Sequence, residues 1–306
     1  MYQNEYMPEG MSPDSSLLRE YTQSSSGIER AISDGVILES KAVLCDGDHA
    51  LHVELGGGFE GIIPFEECVL EGTAAKPISA ISRVGKSVCF KIIGMQKDSN
   101  TVILSRKAAQ EECRTNHIKM LAAGDVIPAR VTHLEHFGAF CDIGCGIISL
   151  LPIDSMSVSR ISNPRDRFSC GQFIKAVVKS SWNDEGRIML SHRELLGTWE
   201  ENASAFEVGQ TVTGIVRSIE PYGVFVELRP NLAGLAEYNG DLEIGDRVSV
   251  FIKSILPQKM KIKLVIIDKA DIEKRFDRYE YFITSGSIKR WQYSPEGASK
   301  LVETVF

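Results

Sequence analysis

Two short runs hold aromatic residues at one spacing, Phe137-Gly138-Ala139-Phe140 and Tyr222-Gly223-Val224-Phe225. A ring offered to solvent stacks on a nucleobase for about 1–3 kcal/mol per base, whatever the base, so a pair of rings is a small stacking platform. Strand alternation puts Ala139, Cys141 and Ile143 on one face, hence Phe140 and Asp142 on the other. The same parity sends Val224, Val226 and Leu228 inward and Phe225 and Glu227 outward. A bend at Gly138 or Gly223 brings both rings of a pair to one face. The competing reading has the rings closing the end of a domain or packing on a neighbour; their repetition favours stacking.

Cations near these runs are the candidates for phosphate or ribose contacts: Arg187, Lys179, Lys253 and Lys261, with His133 and Arg217 as lesser additions. Lys253, Lys259, Lys261, Lys263 and Lys269 form a local basic run that either tracks phosphates or guards a strand edge. His133, His136, Cys141 and Cys145 are zinc-type ligands, but Cys141 has inward parity, so they read as surface histidines and buried thiols, with no metal. No nucleophile with its base, carboxylate cluster or phosphate-cradling loop stands out. Gly56-Gly57-Gly58 lacks the helix and Lys of a P-loop and reads as a hairpin turn. The chain is read as a binding protein that uses no cofactor, not as an enzyme.

The elements that position these residues repeat. Gly124 to Ile143 aligns without a gap on Gly209 to Leu228, and Gly171 to Leu190 aligns likewise on Gly245 to Leu264 and on Gly85 to Leu104. Each copy consists of short strands rich in Val, Ile and Phe with Gly- or Asp-containing breaks, which predicts three antiparallel five-stranded barrels. The expected organisation is a disordered tail over 1–27, a divergent barrel over 28–107, a helical linker over 108–122, a barrel over 123–192, a linker over 193–206, a barrel over 207–268 and an extension over 269–306. Helix-favouring composition runs from Ser105 to Leu121, with Gly124 after it as a stop. A shorter helix is expected from Arg193 to Phe206, weakened by Gly197. In the extension, 279–284 and 287–293 read as a hairpin about Ser285-Gly286, and Ser294-Pro295-Glu296 as a helix start.

The 306 residues, 43% hydrophobic, suffice for several cores. A net charge of -7 excludes a polycation that coats nucleic acid, so any such contact is local. Seven cysteines, an odd number with no C-x-x-C pair, read as reduced thiols. With no leader and no apolar run of about 20 residues, a soluble cytoplasmic protein without membrane contact is expected.

The pattern around His136-Phe137-Gly138-Ala139-Phe140, followed by the end strand Gly186-Arg187-Ile188-Met189-Leu190-Ser191, resembles the S1 RNA-binding domain, an oligonucleotide-binding (OB) barrel named after the bacterial small-subunit ribosomal protein S1. The resemblance spans roughly residues 28–268. It implies tandem OB barrels, a mainly β chain, and binding of single-stranded RNA or mRNA in translation. The family's two surface rings fall on Phe137 and Phe140 and on Tyr222 and Phe225. Its last-strand Arg falls on Arg187 and on Lys261, which keeps the charge but loses the guanidinium fork. Its His falls on Pro152 and Glu237, and its Asp on Asn183 and Pro257, so those contacts are absent. In the first copy His49 and His52 stand in place of the rings, Pro64 in place of the His and Thr101 in place of the Arg. By resemblance, residues 28–107 are assigned to docking on the small ribosomal subunit or another protein. A protein scaffold, or an RNA-decay or translation regulator with weak RNA affinity, is the alternative.

Overall fold

Short strands whose alternate residues are Val, Ile, Leu or Ala bury one face each, and in the computed structural model they close into three barrels. The structure describes residues 6–11, 15–70, 76–96, 98–182, 186–237, 241–270 and 279–306. The first barrel comprises β1 (Leu38–Cys45), β2 (Leu51–Gly56), β3 (Phe59–Ile63), β4 (Ser87–Gln96) and β5 (Thr101–Ser105). The second comprises β6 (Val126–Glu135), β7 (Gly138–Asp142), β8 (Ile148–Pro152), β9 (Phe173–Ser180) and β10 (Met189–Ser191). The third comprises β11 (Thr211–Glu220), β12 (Gly223–Arg229), β13 (Leu232–Ala236), β14 (Arg247–Leu256) and β15 (Lys261–Lys269).

All three share one strand order, with the last strand between the third, which it meets in parallel, and the fourth. That order is the OB arrangement, a mainly β fold in triplicate. The predicted parity holds on the inner faces. Ala139, Cys141 and Ile143 lie in the second core with Val131 and Leu190. Val224 and Val226 lie in the third with Val248 and Leu264, and Leu228 packs against it.

Outside the barrels the structure corrects several expectations. Residues 15–27, expected to be unstructured, form α1 (Ser15–Thr22) and the start of α2 (Ser25–Asp34). Ser24, part of the serine run, caps α2 by accepting from the Gly27 N–H, and Gly35 ends it in the left-handed conformation. Ile28 and Ala31 are buried, and the Thr22 hydroxyl donates to the Leu55 carbonyl of β2. After α3 (Pro77–Ile81), Ser105 caps α4 (Arg106–Asn116) by accepting from the Ala108 N–H. The expected helix after Arg193 is split: Gly197, at φ +81°, separates a 3-10 turn over Arg193–Leu196 from α5 (Trp199–Ala203).

The hairpin about Ser285-Gly286 does not form. Instead β16 (Arg290–Gln292) pairs with β17 (Glu303–Val305), and Ser294-Pro295-Glu296 starts no helix. The 279–293 segment packs between the second and third barrels because its aromatic residues gain more by burial there than by pairing with each other. Trp291 and Tyr293 join the third core, Tyr279 packs on the second, and the Gly286 carbonyl and Ile288 N–H bond to the start of the second barrel. No helix among the described residues is long and apolar enough to cross a membrane.

Candidate nucleic-acid interface

Both ring pairs are built in one way. In the second barrel Glu135 pairs with Gly138, leaving His136-Phe137 as the two-residue turn between β6 and β7; in the third Glu220 pairs with Gly223, leaving Pro221-Tyr222. The first ring therefore sits at the hairpin tip and the second on the outer face of the following strand. The glycine between them is required by close approach. A Cβ at Gly138 would lie 2.6 Å from the Leu151 carbonyl oxygen, and one at Gly223 2.5 Å from that of Ala236. Phe137 and Phe140 meet edge to face at 6.0 Å and 87°, and Tyr222 and Phe225 at 6.2 Å and 89°. Phe137 is 44% exposed and Tyr222 68%, while Phe140 and Phe225 are half-buried.

Each strand ring belongs to a row across the barrel surface. His133, Phe140, Leu150 and Met189 are successive cross-strand partners in the second barrel, and Ser218, Phe225, Leu235 and Lys263 in the third. Leu150 and Leu235, which sequence reasoning does not single out, are half-buried aliphatic neighbours of the rings. Their signal was available, each standing ten residues after its ring. His133 stacks on Phe140 at 6.3 Å and holds Glu135 at 2.7 Å.

The predicted cations divide. Lys179, Arg187, Lys253 and Lys261 are exposed on the closing strands or their approaches, Lys179 reaching the Ser155 hydroxyl at 3.0 Å. Arg217 does not face solvent: its side chain is 9% exposed, donates to Glu227 at 2.6 Å and lies 3.4 Å from Asp166. Glu227 and Asp142, predicted to lie outside, point away from their own cores yet are buried. Parity says which face a residue takes, not what the next domain lays over it. Glu227 is covered by Arg167, whose guanidinium bonds both its oxygens. Asp142 accepts from the backbone N–H groups of Gly144, Gly146 and Glu9. Lys269 pairs with Asp246 at 2.9 Å, and Asn183 lies outside the described residues.

The first barrel's surface differs in kind. Its corresponding row is Leu44, His52, Ile62 and Ile103. His52 takes the strand-ring position, but its nitrogens lie 2.8 Å from Glu60 and 3.0 Å from Asp46. Partial burial opposes a charge on this ring, but the hydrogen bonds to Asp46 and Glu60 outweigh it and raise the pKa above the ordinary histidine value. Asp46 is lowered in turn, chiefly by His52. With His52 neutral or charged, the two carboxylates leave the site net negative. His49, in the turn, packs obliquely on Phe65.

Residues 121–193 match the family described as S1 RNA binding domain. The central barrel is an S1 RNA-binding domain. The resemblance drawn from the repeats extends well beyond that S1 barrel. The chain is 28% identical over 227 residues to the small ribosomal subunit protein bS1 of Chlamydia muridarum, covering 70% of this chain and 40% of that protein. It is 31% identical over 196 residues to the bS1 homolog of Bacillus subtilis, covering 62% and 50%. It therefore spans half or less of these relatives' length. Among solved structures, a multidomain Streptococcus pneumoniae protein with nucleic acid binding domains covers 76% of this chain and 74% of its own at 14% identity, with a TM-score of 0.25, too low to bear on how barrels are arranged.

Proposed function

We propose that the chain binds single-stranded RNA through the second and third barrels, acting in translation on or near the small ribosomal subunit in the cytoplasm. The observation that carries this reading is the duplicated ring pair: two outward edge-to-face pairs, at 6.0 and 6.2 Å, on equivalent hairpins of separate barrels. Evolution of a core requires no such copy on the surface, whereas a strand of RNA crossing two platforms does. Stacking also reconciles RNA binding with a chain of net charge -7, since affinity then rests on π-faces more than on counterion release. Phe137, Phe140, Tyr222 and Phe225 stack bases; Lys179, Arg187, Lys253 and Lys261 steady the backbone, with His133 extending the second platform.

The first barrel is assigned to docking on the small subunit rather than to RNA. Its ring position holds the His52 cluster, a smaller, mostly buried ring between two carboxylates that repel phosphate. The test is fluorescence anisotropy with a labelled 12-nucleotide oligouridylate and with a duplex RNA across a salt series. Micromolar or tighter binding of the single strand, a weaker duplex and a shallow salt slope are expected. Equal affinity for the duplex, or no binding at low salt, overturns the proposal.

A further inference from the structure

The joint between the second and third barrels encloses a cleft of about 430 Å3 lined by five arginines, and the ring reading leaves it without a role. Two of the five are satisfied internally: Arg167 and Arg217 share Glu227, and Arg217 also faces Asp166. The other three are Arg165, Arg229 and Arg247. Arg165 and Arg247 make no ion pair among the described residues; Arg229, whose guanidinium lies 5.9 Å from the Phe206 ring centre, pairs there only with Glu280, at 3.4 Å, whose side chain is 75% exposed. Three arginines against one loosely held carboxylate leave a local excess of positive charge in an acidic chain.

The cleft continues the stacking surface. Phe225, Glu227 and Arg229 are alternate residues of β12, and Arg247 stands in one cross-strand row with Ile215 and Glu227. At about 3.4 Å per residue, the row that opens the cleft is about 7 Å from the Phe225 position. Guanidinium groups grip phosphate through paired N–H donors, more tightly and with more orientation than lysine.

We infer that this cleft holds the RNA backbone: Arg165, Arg229 and Arg247 bind phosphates of the strand whose bases stack on Tyr222 and Phe225, carrying it from the third barrel toward the second. This rests on the stacking reading and adds a site between domains that neither barrel possesses alone. An acidic peptide is the competing occupant. At the first joint the corresponding row, Phe173, Arg130 and Asp142, is covered by residues 9–10 of this chain, where Glu9 pairs with Arg106. At the second joint, continuity with the rings favours RNA.

The experiment compares the full-length chain with Arg229→Ala/Arg247→Ala, Arg229→Lys/Arg247→Lys and Tyr222→Ala/Phe225→Ala, by anisotropy of an 18-nucleotide oligouridylate at several salt concentrations. Melting temperature checks that each variant folds. Loss of two phosphate contacts is expected to flatten the slope of log K against log salt by about 1.4, at about 0.7 per phosphate, with affinity several-fold weaker; the lysine variant keeps the slope. The ring variant is expected to lose affinity at unchanged slope. A wild-type slope in Arg229→Ala/Arg247→Ala alongside a weakened ring variant overturns the cleft and leaves stacking intact. A flattened slope alongside an unaffected ring variant overturns stacking and leaves the cleft. Hexaglutamate bound by the wild type and lost with the two arginines, while RNA binding is unchanged, assigns the cleft to an acidic peptide and overturns the RNA proposal.

Discussion

At the scale of single residues, what separates the barrels is the chemistry of one surface position. It holds Phe140 in the second barrel, Phe225 in the third and His52 in the first. The two phenyl rings present apolar faces; His52 is held by carboxylates on both nitrogens. Exposure makes the tip rings the cleanest test. Phe137→Ala and Tyr222→Ala remove little buried area, so each should leave the melting temperature nearly unchanged while weakening single-stranded RNA by about 1–3 kcal/mol, read by anisotropy. A fall in melting temperature without loss of RNA binding would make these rings part of the barrel wall.

At the scale of elements, the hairpins carry the ring pairs, and the glycine in each sets their geometry. The carbonyl of Leu151 or Ala236 passes where a Cβ would stand, which brings the third strand tight against the second and lets the tip ring fold back on the strand ring. Gly138→Ala should cost about 2 kcal/mol of stability, measured by urea denaturation, and should weaken RNA binding through both rings at once. This double signature distinguishes it from removal of a ring. The linkers show the opposite economy. Gly197 acts where its type predicts, as a break, and Ser105, the first residue of the helix-favouring stretch, is the cap of α4. The 279–293 run reads as a hairpin by composition, yet finds its partners in the barrels instead.

At the scale of the whole molecule, the barrels are joined by buried polar groups. Between the first two, Glu9 lies 2.8 Å from Arg106 and 3.3 Å from Arg83, and Arg106 reaches the carbonyls of Cys68 and Gly146. Burial disfavours the Glu9 charge, but Arg106 and Arg83 prevail and hold its pKa below the ordinary value. Glu9→Ala strands Arg106 in a site where it is 2% exposed and should cost about 3–5 kcal/mol in thermal unfolding, part of which Glu9→Ala/Arg106→Met recovers. Between the last two, His192 is fully buried. A carbonyl only accepts, so Nδ1 donates to Met156, leaving Nε2 to accept from the Tyr281 hydroxyl. Burial lowers the His192 pKa from 6.5 to about 4. The unfolded chain binds this proton first, so the stabilisation is complete above pH 6.5 and is lost as pH falls toward 4, by about 3 kcal/mol. Burial raises the Asp142 carboxyl to about 7, which stabilises in the opposite sense as pH falls through the same range, so the His192 component is read as the difference between thermal melts of the wild type and His192→Gln from pH 7 to 4.5.

How much was legible followed from range. Repeat, strand parity, the helix-favouring stretch from Ser105, the break at Gly197 and the spacing of the rings depend on residues within a strand or a turn of one another, so the sequence by itself determined the three OB barrels, their inner faces and the two outward ring pairs. The burial of Asp142, Glu227 and Arg217, the order in residues 15–27, the strap formed by 279–293 and the meeting of Arg165 with Arg229 and Arg247 were decided only by the tertiary structure. Each depends on which surface one domain lays against another, and that is set by shape and charge summed over segments far apart in the chain, which no local pattern encodes.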